Sequence, residues 1–213
     1  MNDQQGEYVA SAEAIASRSL RNAALAYLMK PTDTELVSLC AAQFNKASNM
    51  TDTGAAIRAL VNSSNTAAQA VKHKALVEFY NRWASEALVI DQWFAIQASC
   101  PLPGALARVK ALMQHPAFDM KNPNRMRSLL ASFASQNTVN FHLLDGSGYA
   151  FLADCVIELD SFNPQIAARM LTPLTRWRKL DETRQALMKS QLQKILDAGD
   201  LSRDVFEVVT KSL

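Results

Sequence analysis

Two short stretches of this sequence hold the side chains best suited to recognising a ligand. Arg125 and Arg127 follow Asn122-Pro123-Asn124, and Gln165 and Arg169 follow Asn163-Pro164. Asn followed by Pro is a helix-start signal. The amide oxygen caps the first free N–H groups, and Pro fits the first helical position, where its missing N–H costs nothing. Each stretch is therefore expected to present these polar side chains in the first turns of a helix. A cation there opposes the helix macrodipole, at a cost of a few tenths to about 1 kcal/mol. Helix N-termini and planar guanidinium forks both donate hydrogen bonds, so together they suit a carboxylate. The two Asn-Pro pairs lie 41 residues apart. That interval falls within the HEAT/armadillo period of about 40–47 residues and would make them matching starts of neighbouring repeats. Spacing alone leaves two readings open: a carboxylate receptor, or surface ion pairs of Arg127 and Arg169 with acids such as Asp145 or Asp119.

Catalytic motifs are absent from the sequence. There is no His-Glu-x-x-His, C-x-x-C, P-loop or G-x-G-x-x-G. His73, His115 and His142 are too scattered to form a helix-borne metal pair, and Pro116 interrupts the spacing of His115 and Asp119. Each His is read as a surface or hydrogen-bonded structural residue. Gly146-Ser147-Gly148 lacks the G-x-S-x-G frame of a nucleophile elbow and the strand that frame requires, so it reads as a turn. Cys40, Cys100 and Cys155 each sit in an apolar helical pattern without a basic neighbour, which suits buried, reduced thiols rather than reactive ones. Lys and Arg total 22 against 20 Asp and Glu. A net charge of +2 gives no footprint for nucleic acid or an anionic membrane.

The elements that must position these residues are helices. The chain has 213 residues and is 49% hydrophobic, with 6 Gly and 7 Pro, too few for a fold built on many tight turns. Apolar residues recur 3 or 4 apart almost throughout. Val9, Ala12, Ala16, Leu20, Ala23 and Tyr27 define one face of a first helix that Pro31 ends. Thr32 and Glu35 have capping-box spacing for a second, which runs through Leu36, Cys40 and Phe44. Asn49 to Asp52 and Asn62 to Thr66 punctuate the next segments. Faces follow at Val71, Ala75, Phe79 and Trp83, and at Val89, Trp93 and Ile96, with the aromatic residues read as core. Pro101-Leu102-Pro103-Gly104 is the strongest breaker. Beyond it come Leu106, Val109 and Met113; Met126, Leu129, Leu130 and Phe133; Phe151, Leu152, Cys155, Val156 and Leu159; and Ile166, Met170, Leu174 and Trp177. Asp181 and Ser202 are read as caps of the last two helices, with Gly199 closing the first of them. The expected fold is all-α: roughly ten to twelve short helices in armadillo/HEAT-like pairs, forming one α-α superhelical domain over residues 1–213. No apolar run reaches the ~18 residues of a transmembrane helix, and Met1 to Tyr8 lacks the basic and apolar regions of a secretory signal.

Several motifs resemble the C-terminal region of the bacterial aminopeptidase N family. They are Asn122-Pro123-Asn124-Arg125-Met126-Arg127-Ser128-Leu129, Phe141-His142 with Asp145-Gly146-Ser147-Gly148-Tyr149, and Asn163-Pro164-Gln165-Ile166-Ala167, with Asn49-Met50-Thr51-Asp52 and Asp91-Gln92-Trp93-Phe94 upstream. The resemblance implies an all-helical domain that closes over a thermolysin-like, zinc-binding catalytic domain and walls its chamber. It implies that this chain corresponds to the C-terminal domain alone, an excised piece of a larger cytoplasmic enzyme. It assigns no catalytic residue and no metal ligand to these residues, so no hydrolysis by the chain alone is expected. Zinc would reside in the catalytic domain. Carried over by motif, Arg127, Gln165 and Arg169 are the substrate-contacting positions. The implied partners are the catalytic domain of the same polypeptide and a peptide substrate, with no nucleic acid and no membrane. A different class of reading is a free-standing helical-repeat adaptor that binds a peptide or protein on a concave face.

Overall fold

The computed structural model describes residues 8–30 and 34–213. Pro31 and Thr32, read as the end of the first helix and the cap of the second, lie outside them, as does Met1 to Glu7. Among the described residues every regular element is helical. The chain divides into two compact units, Met1–Ser85 and Glu86–Leu213.

The first unit contains α1 (Ala12–Leu28), α2 (Thr34–Lys46), α3 (Met50–Asn62) and α4 (Thr66–Trp83). Asn49 to Asp52 does more than punctuate. The Asn49 side chain accepts from Asp52 N at 2.9 Å and so starts α3. Helix α3 then packs against the other three. Its apolar residues are spread around the cylinder, and Ala56, Ile57 and Leu60 are completely shielded from solvent. Asp52 is buried within this helix and is held by a network from α1, α2 and the Asn49 cap. Arg21 pairs with its carboxylate, Asn22 Nδ2 donates to it at 2.8 Å, and Asn49 Nδ2 donates at 2.9 Å. Gln43 Nε2 ties in by donating to Asn22 Oδ1 and to the Asp52 carbonyl. The Asp52 carboxylate is thus matched on both oxygens, as a low-dielectric interior requires.

Helix α1 supplies that network from its inner side, through Arg21 and Asn22, with Leu25 and Met29 buried beside them. The apolar face marked by Ala12, Ala16, Leu20, Ala23 and Tyr27 is the side turned to solvent. The periodicity identified a real apolar face, but the core of this unit is not what covers it.

The second unit begins with α5 (Ala87–Ala98) and α6 (Ala105–Met113). Gly104, at φ 77°, makes the left-handed turn between Pro103 and α6. Next comes a helix from Pro123 to Gln136 that carries a π turn. Its parts are α7 (Pro123–Met126), the π segment Arg127–Ala131 and α8 (Ser132–Gln136), and the residues at both junctions keep right-handed helical angles. This helix packs mainly on α5. A short α9 (Thr138–Phe141) leads through a turn to α10 (Ser147–Asp160), which is capped by Gly146 at φ 70°. Ser147 and Gly148, read from the sequence as part of a turn, are the first residues of α10. Helix α11 (Pro164–Met170), α12 (Thr172–Thr175), α13 (Glu182–Asp197) and α14 (Arg203–Ser212) complete the unit. Asp181 and Ser202 cap the last two, accepting from Arg184 N and Val205 N. Helix α10 packs on α11 and α13, and α11 packs on α14. The rings of Phe133, Phe141, Tyr149 and Phe151 meet edge to face at centroid distances of 5.2–5.9 Å and fill the centre.

Candidate functional site

Asn122 caps its helix by accepting from Asn124 N at 3.0 Å and Arg125 N at 3.2 Å, with Pro123 at the first helical position. Residues two apart on a helix face different ways, and the two arginines that follow divide accordingly. Arg125 turns inward and is buried. Its Nη1 lies 3.1 Å from Asp91 Oδ1 on α5, and its guanidinium sits 5.3 Å from the Phe94 ring centroid. His115 packs at 5.1 Å from Trp93 and 5.9 Å from Phe94. Burial, then the Arg125 charge, holds its ring below the ordinary imidazole range. Arg125 is thus part of the frame, and the charge it brings to the helix start is matched by Asp91.

Arg127 turns outward and is exposed. It opens the π turn, in which Ser132 N–H reaches back to the Arg127 carbonyl. Ser128 Oγ donates to the Arg125 carbonyl at 2.7 Å one turn earlier. A π turn inside an α-helix is uncommon and tends to fall at functional positions. In the second stretch Asn163 accepts from Ile166 N at 3.3 Å, with Pro164 again at the first position. Ile166, Ala167 and Met170 are buried and fix α11 in place. Gln165 and Arg169, four residues apart, share its exposed face.

Two sequence-based expectations change here. Helix α11 ends at Met170, so Arg169 stands in its last turn, where a cation complements the macrodipole rather than opposing it. The expected helix-start cost therefore does not apply to Arg169. Arg127 and the Gln165–Arg169 pair also stand on elements with different main partners, α5 for the first and α10 and α14 for the second. The surface ion pairs considered for Arg127 and Arg169 are not formed. Asp145 accepts from Ser147 N and Ser147 Oγ, and Asp119 accepts from Lys121 N. Among the described residues no ion pair holds either guanidinium, so both have all their donors available.

Sequence reasoning did not find the supports around these residues. Asn137 Nδ2 donates to the carbonyls of Ala98 and Cys100 at 2.9 and 2.7 Å, and Asn140 Nδ2 donates to that of Pro101 at 3.0 Å. The two amides fasten the end of α8 and the start of α9 to the breaker that follows α5. A second cluster surrounds the Asp145-Gly146-Ser147-Gly148 turn. His142 Nδ1 and Tyr149 OH share a 2.8 Å hydrogen bond, and Arg184 Nε donates to the His142 carbonyl at 2.7 Å. Burial, then Arg184, holds His142 below its usual range, while burial raises Tyr149. These histidines are packed and hydrogen-bonded, as read. All three cysteines are buried, and burial pushes the Cys40 and Cys155 thiols up to about 12, away from reactivity. Among the described residues no three His, Cys, Asp or Glu side chains converge as metal ligands. No helix there is long and apolar enough to cross a membrane.

An all-helical chain with paired Asn-Pro helix starts and outward-facing donors defines a helical-repeat domain. The chain belongs to the family described as "Domain of unknown function (DUF3458_C) ARM repeats", which matches residues 1–213. The particular proteins it resembles are aminopeptidases. It is 43% identical over 211 residues to aminopeptidase N of Escherichia coli (strain K12), a match covering 98% of this chain and 24% of that protein. Aminopeptidase N of Caulobacter vibrioides is 40% identical over 208 residues, covering 98% of this chain and 24% of that protein, and that of Haemophilus influenzae is 41% identical over 208 residues, covering 97% and 23%. Among solved structures, Legionella pneumophila aminopeptidase A in complex with aspartic acid superposes with a TM-score of 0.87 at 32% identity, covering 98% of this chain and 25% of that one. The chain thus spans about a quarter of the length of these relatives. The resemblance to the C-terminal helical domain of bacterial aminopeptidase N and the all-α, armadillo-type fold are both borne out.

Proposed function

We propose that residues 1–213 form the single C-terminal, non-catalytic domain of a cytoplasmic zinc-dependent aminopeptidase N. There it closes the catalytic chamber and presents Arg127, Gln165 and Arg169 to peptides whose N-terminal residues are being removed. The observation that carries this reading is the division between the arginines. Arg125 is buried against Asp91, whereas Arg127 and Arg169 stand exposed on well-packed helices with no acid among the described residues paired to them. A guanidinium held on a rigid support and left uncommitted loses little on meeting a carboxylate or a peptide carbonyl. In a chamber where the catalytic domain holds the amino end of a peptide, such donors would engage its carboxylate or its backbone carbonyls and help orient it.

Among the described residues no three His, Cys, Asp or Glu side chains converge, the cysteines are separate and buried, and His142 is hydrogen-bonded to Tyr149, which does not make a zinc donor set. On this reading the metal is held by the catalytic domain of the same polypeptide, and the present residues supply binding and enclosure. Steady-state kinetics of the intact enzyme provides the test. Replacing Arg127 and Arg169 by Ala should raise KM for peptides more than for small aminoacyl amides, which lack a carboxylate to lose. Equal effects on both substrate types would remove the substrate-contact role.

A further inference from the structure

His115 stands in the turn that leads from α6 into α7, and it ties that turn at three points. Its backbone N–H donates to the Leu112 carbonyl at 3.1 Å, its carbonyl accepts from Phe118 N at 2.8 Å, and its ring Nδ1 accepts from Ala117 N at 3.1 Å. Asn122 N then donates to the Asp119 carbonyl at 3.1 Å, so the turn runs directly into the residue that caps the helix bearing Arg125 and Arg127. The ring also fastens the turn to α5. It lies 5.1 Å from Trp93 and 5.9 Å from Phe94, and Phe118 meets Phe94 at 5.9 Å.

An imidazole nitrogen that accepts a hydrogen bond from a backbone N–H carries no proton, so the ring is neutral with its proton on Nε2. A further proton would go to Nδ1, turn the acceptor into a donor and leave two N–H groups facing each other at 3.1 Å. It would also set a second cation beside Phe94, whose ring already carries the Arg125 guanidinium at 5.3 Å. The charged groups on the neighbouring elements give no relief. Asp91 on α5 is set against Arg125 Nη1 on α7. Arg108 and Lys110 on α6 are cations, engaged with the Leu102 and Pro103 carbonyls and with the Phe151 ring. Asp119 and Lys121, on the turn itself, are exposed, and Asp119 accepts from Lys121 N. The depressed basicity of the ring, caused by burial and then by Arg125, agrees with this geometry.

We propose that His115 is a proton-operated brace for the start of the helix that carries Arg127. Neutral, it keeps the 114–122 turn folded onto α5 and the Asn122 cap in place. Protonated, it lets the turn go and unsettles the seat of Arg127. The brace depends on no substrate contact. Its effect on peptide binding rests on Arg127 being such a contact, as proposed above.

A fluorine reporter reads the turn directly. 4-Fluorophenylalanine at position 118 of the intact gene product would be followed by 19F NMR from about pH 8 to about pH 5. The readout is the H2O/D2O isotope shift of its resonance, which grows as the ring leaves Phe94 for water. The expected result is growth with a midpoint below about 6.5 that is absent in His115→Asn. Asn keeps an oxygen within reach of residue 117 N, in the i to i+2 geometry that Asp119 and Asn122 already use in this segment, and it does not titrate. A fluorine that stays equally dry across the range in the wild-type protein overturns the proposal without any variant. A transition that survives His115→Asn overturns it as well. KM for peptides is measured over the same range. A rise of about threefold or more that follows the fluorine midpoint, and is lost in His115→Asn, carries the brace through to substrate binding. A fluorine transition with KM unchanged sustains the brace and counts against the substrate role of Arg127.

Discussion

Arg125 and Asp91 meet at 3.1 Å with both side chains largely shut away from water, and the two atoms that approach do so without hydrogen-bond geometry. The contact joins the Asp91-Gln92-Trp93-Phe94 and Asn122-Pro123-Asn124-Arg125 motifs, so two stretches 34 residues apart in sequence act as one piece of the frame. Breaking a buried pair leaves an uncompensated charge and costs about 3–5 kcal/mol, whereas replacing both partners by apolar groups of similar size is nearly neutral. Asp91→Ala is therefore expected to lower unfolding stability by about 3 kcal/mol. Asp91→Leu with Arg125→Met should recover most of that loss. Urea denaturation of the wild type, Asp91→Leu, Arg125→Met and the double variant gives the cycle, and a double variant no more stable than Asp91→Leu would contradict it.

Arg127, two residues on, should behave in the opposite way. Its side chain is exposed and unpaired, so Arg127→Ala should change stability by less than about 0.5 kcal/mol, while Arg125→Ala costs several. Thermal unfolding of the two single variants side by side would show the contrast. Comparable losses would mean that both arginines belong to the frame.

Asp52 should make the first unit sensitive to acid. Burial pushes the Asp52 carboxyl up, but hydrogen bonds from Asn49, Asn22 and Arg21, together with the Arg21 charge, outweigh it and leave it below the usual carboxylate range. A carboxyl depressed in the folded state contributes stability above its unfolded value, about 3.9, and loses it as pH falls through the folded value. Asp52→Asn should flatten the fall in stability on the acid side while lowering stability at pH 7. Chemical denaturation at a series of pH values measures both. An unchanged acid slope would count against this assignment.

His142 should contribute in a different window. Burial and Arg184 hold its imidazole below the ordinary value, so the unfolded chain takes up the proton more readily than the folded one. Stability from this group is present above about pH 6.5 and declines as pH falls below it. NMR titration of the His142 ring should give a midpoint below the ordinary imidazole value of about 6.5, and a midpoint at or above it would refute the reading.

The Gly148 backbone touches the preceding turn. A Cβ placed there would lie 2.5 Å from the Phe141 carbonyl oxygen, which is backbone and cannot swing aside. Gly148→Ala should destabilise the fold by about 1–3 kcal/mol, as overpacking does. Calorimetry should show the loss, and a variant with unchanged Tm would show that α9 and α10 separate more easily than their geometry implies.

Helix starts were legible because their signals are local. Asn122, Asn163, Asp181 and Ser202 each cap a backbone N–H within three residues, and a side chain's reach to its own backbone depends on little else. Long-range hooks were not legible. Asn137 and Asn140 grip carbonyls on residues 98–101, and nothing in the spacing of apolar residues marks an amide that will find a distant partner. The apolar face of α1 marks another limit, since periodicity shows that a helix has an apolar side but does not say what covers it. Arg125 and Arg127 were grouped as one constellation by proximity in sequence. Their separation into buried and exposed follows from a two-residue offset on a helix, together with the acid on α5 that draws one of them in.

The π turn at Arg127–Ala131 makes the length of its helix a functional quantity. Five residues there span what four span in an ordinary α-helical turn, so the turn stores one surplus residue. Deleting a single codon within it would let Pro123–Gln136 close as a regular α-helix and rotate everything upstream by about 100° relative to Phe133. Arg125 would leave Asp91, and Arg127 would point along a new bearing. A substitution at these positions changes one side chain, whereas a one-residue deletion re-aims the entire leading edge of the helix. For protein engineering, this segment should tolerate changes of letter far better than changes of length.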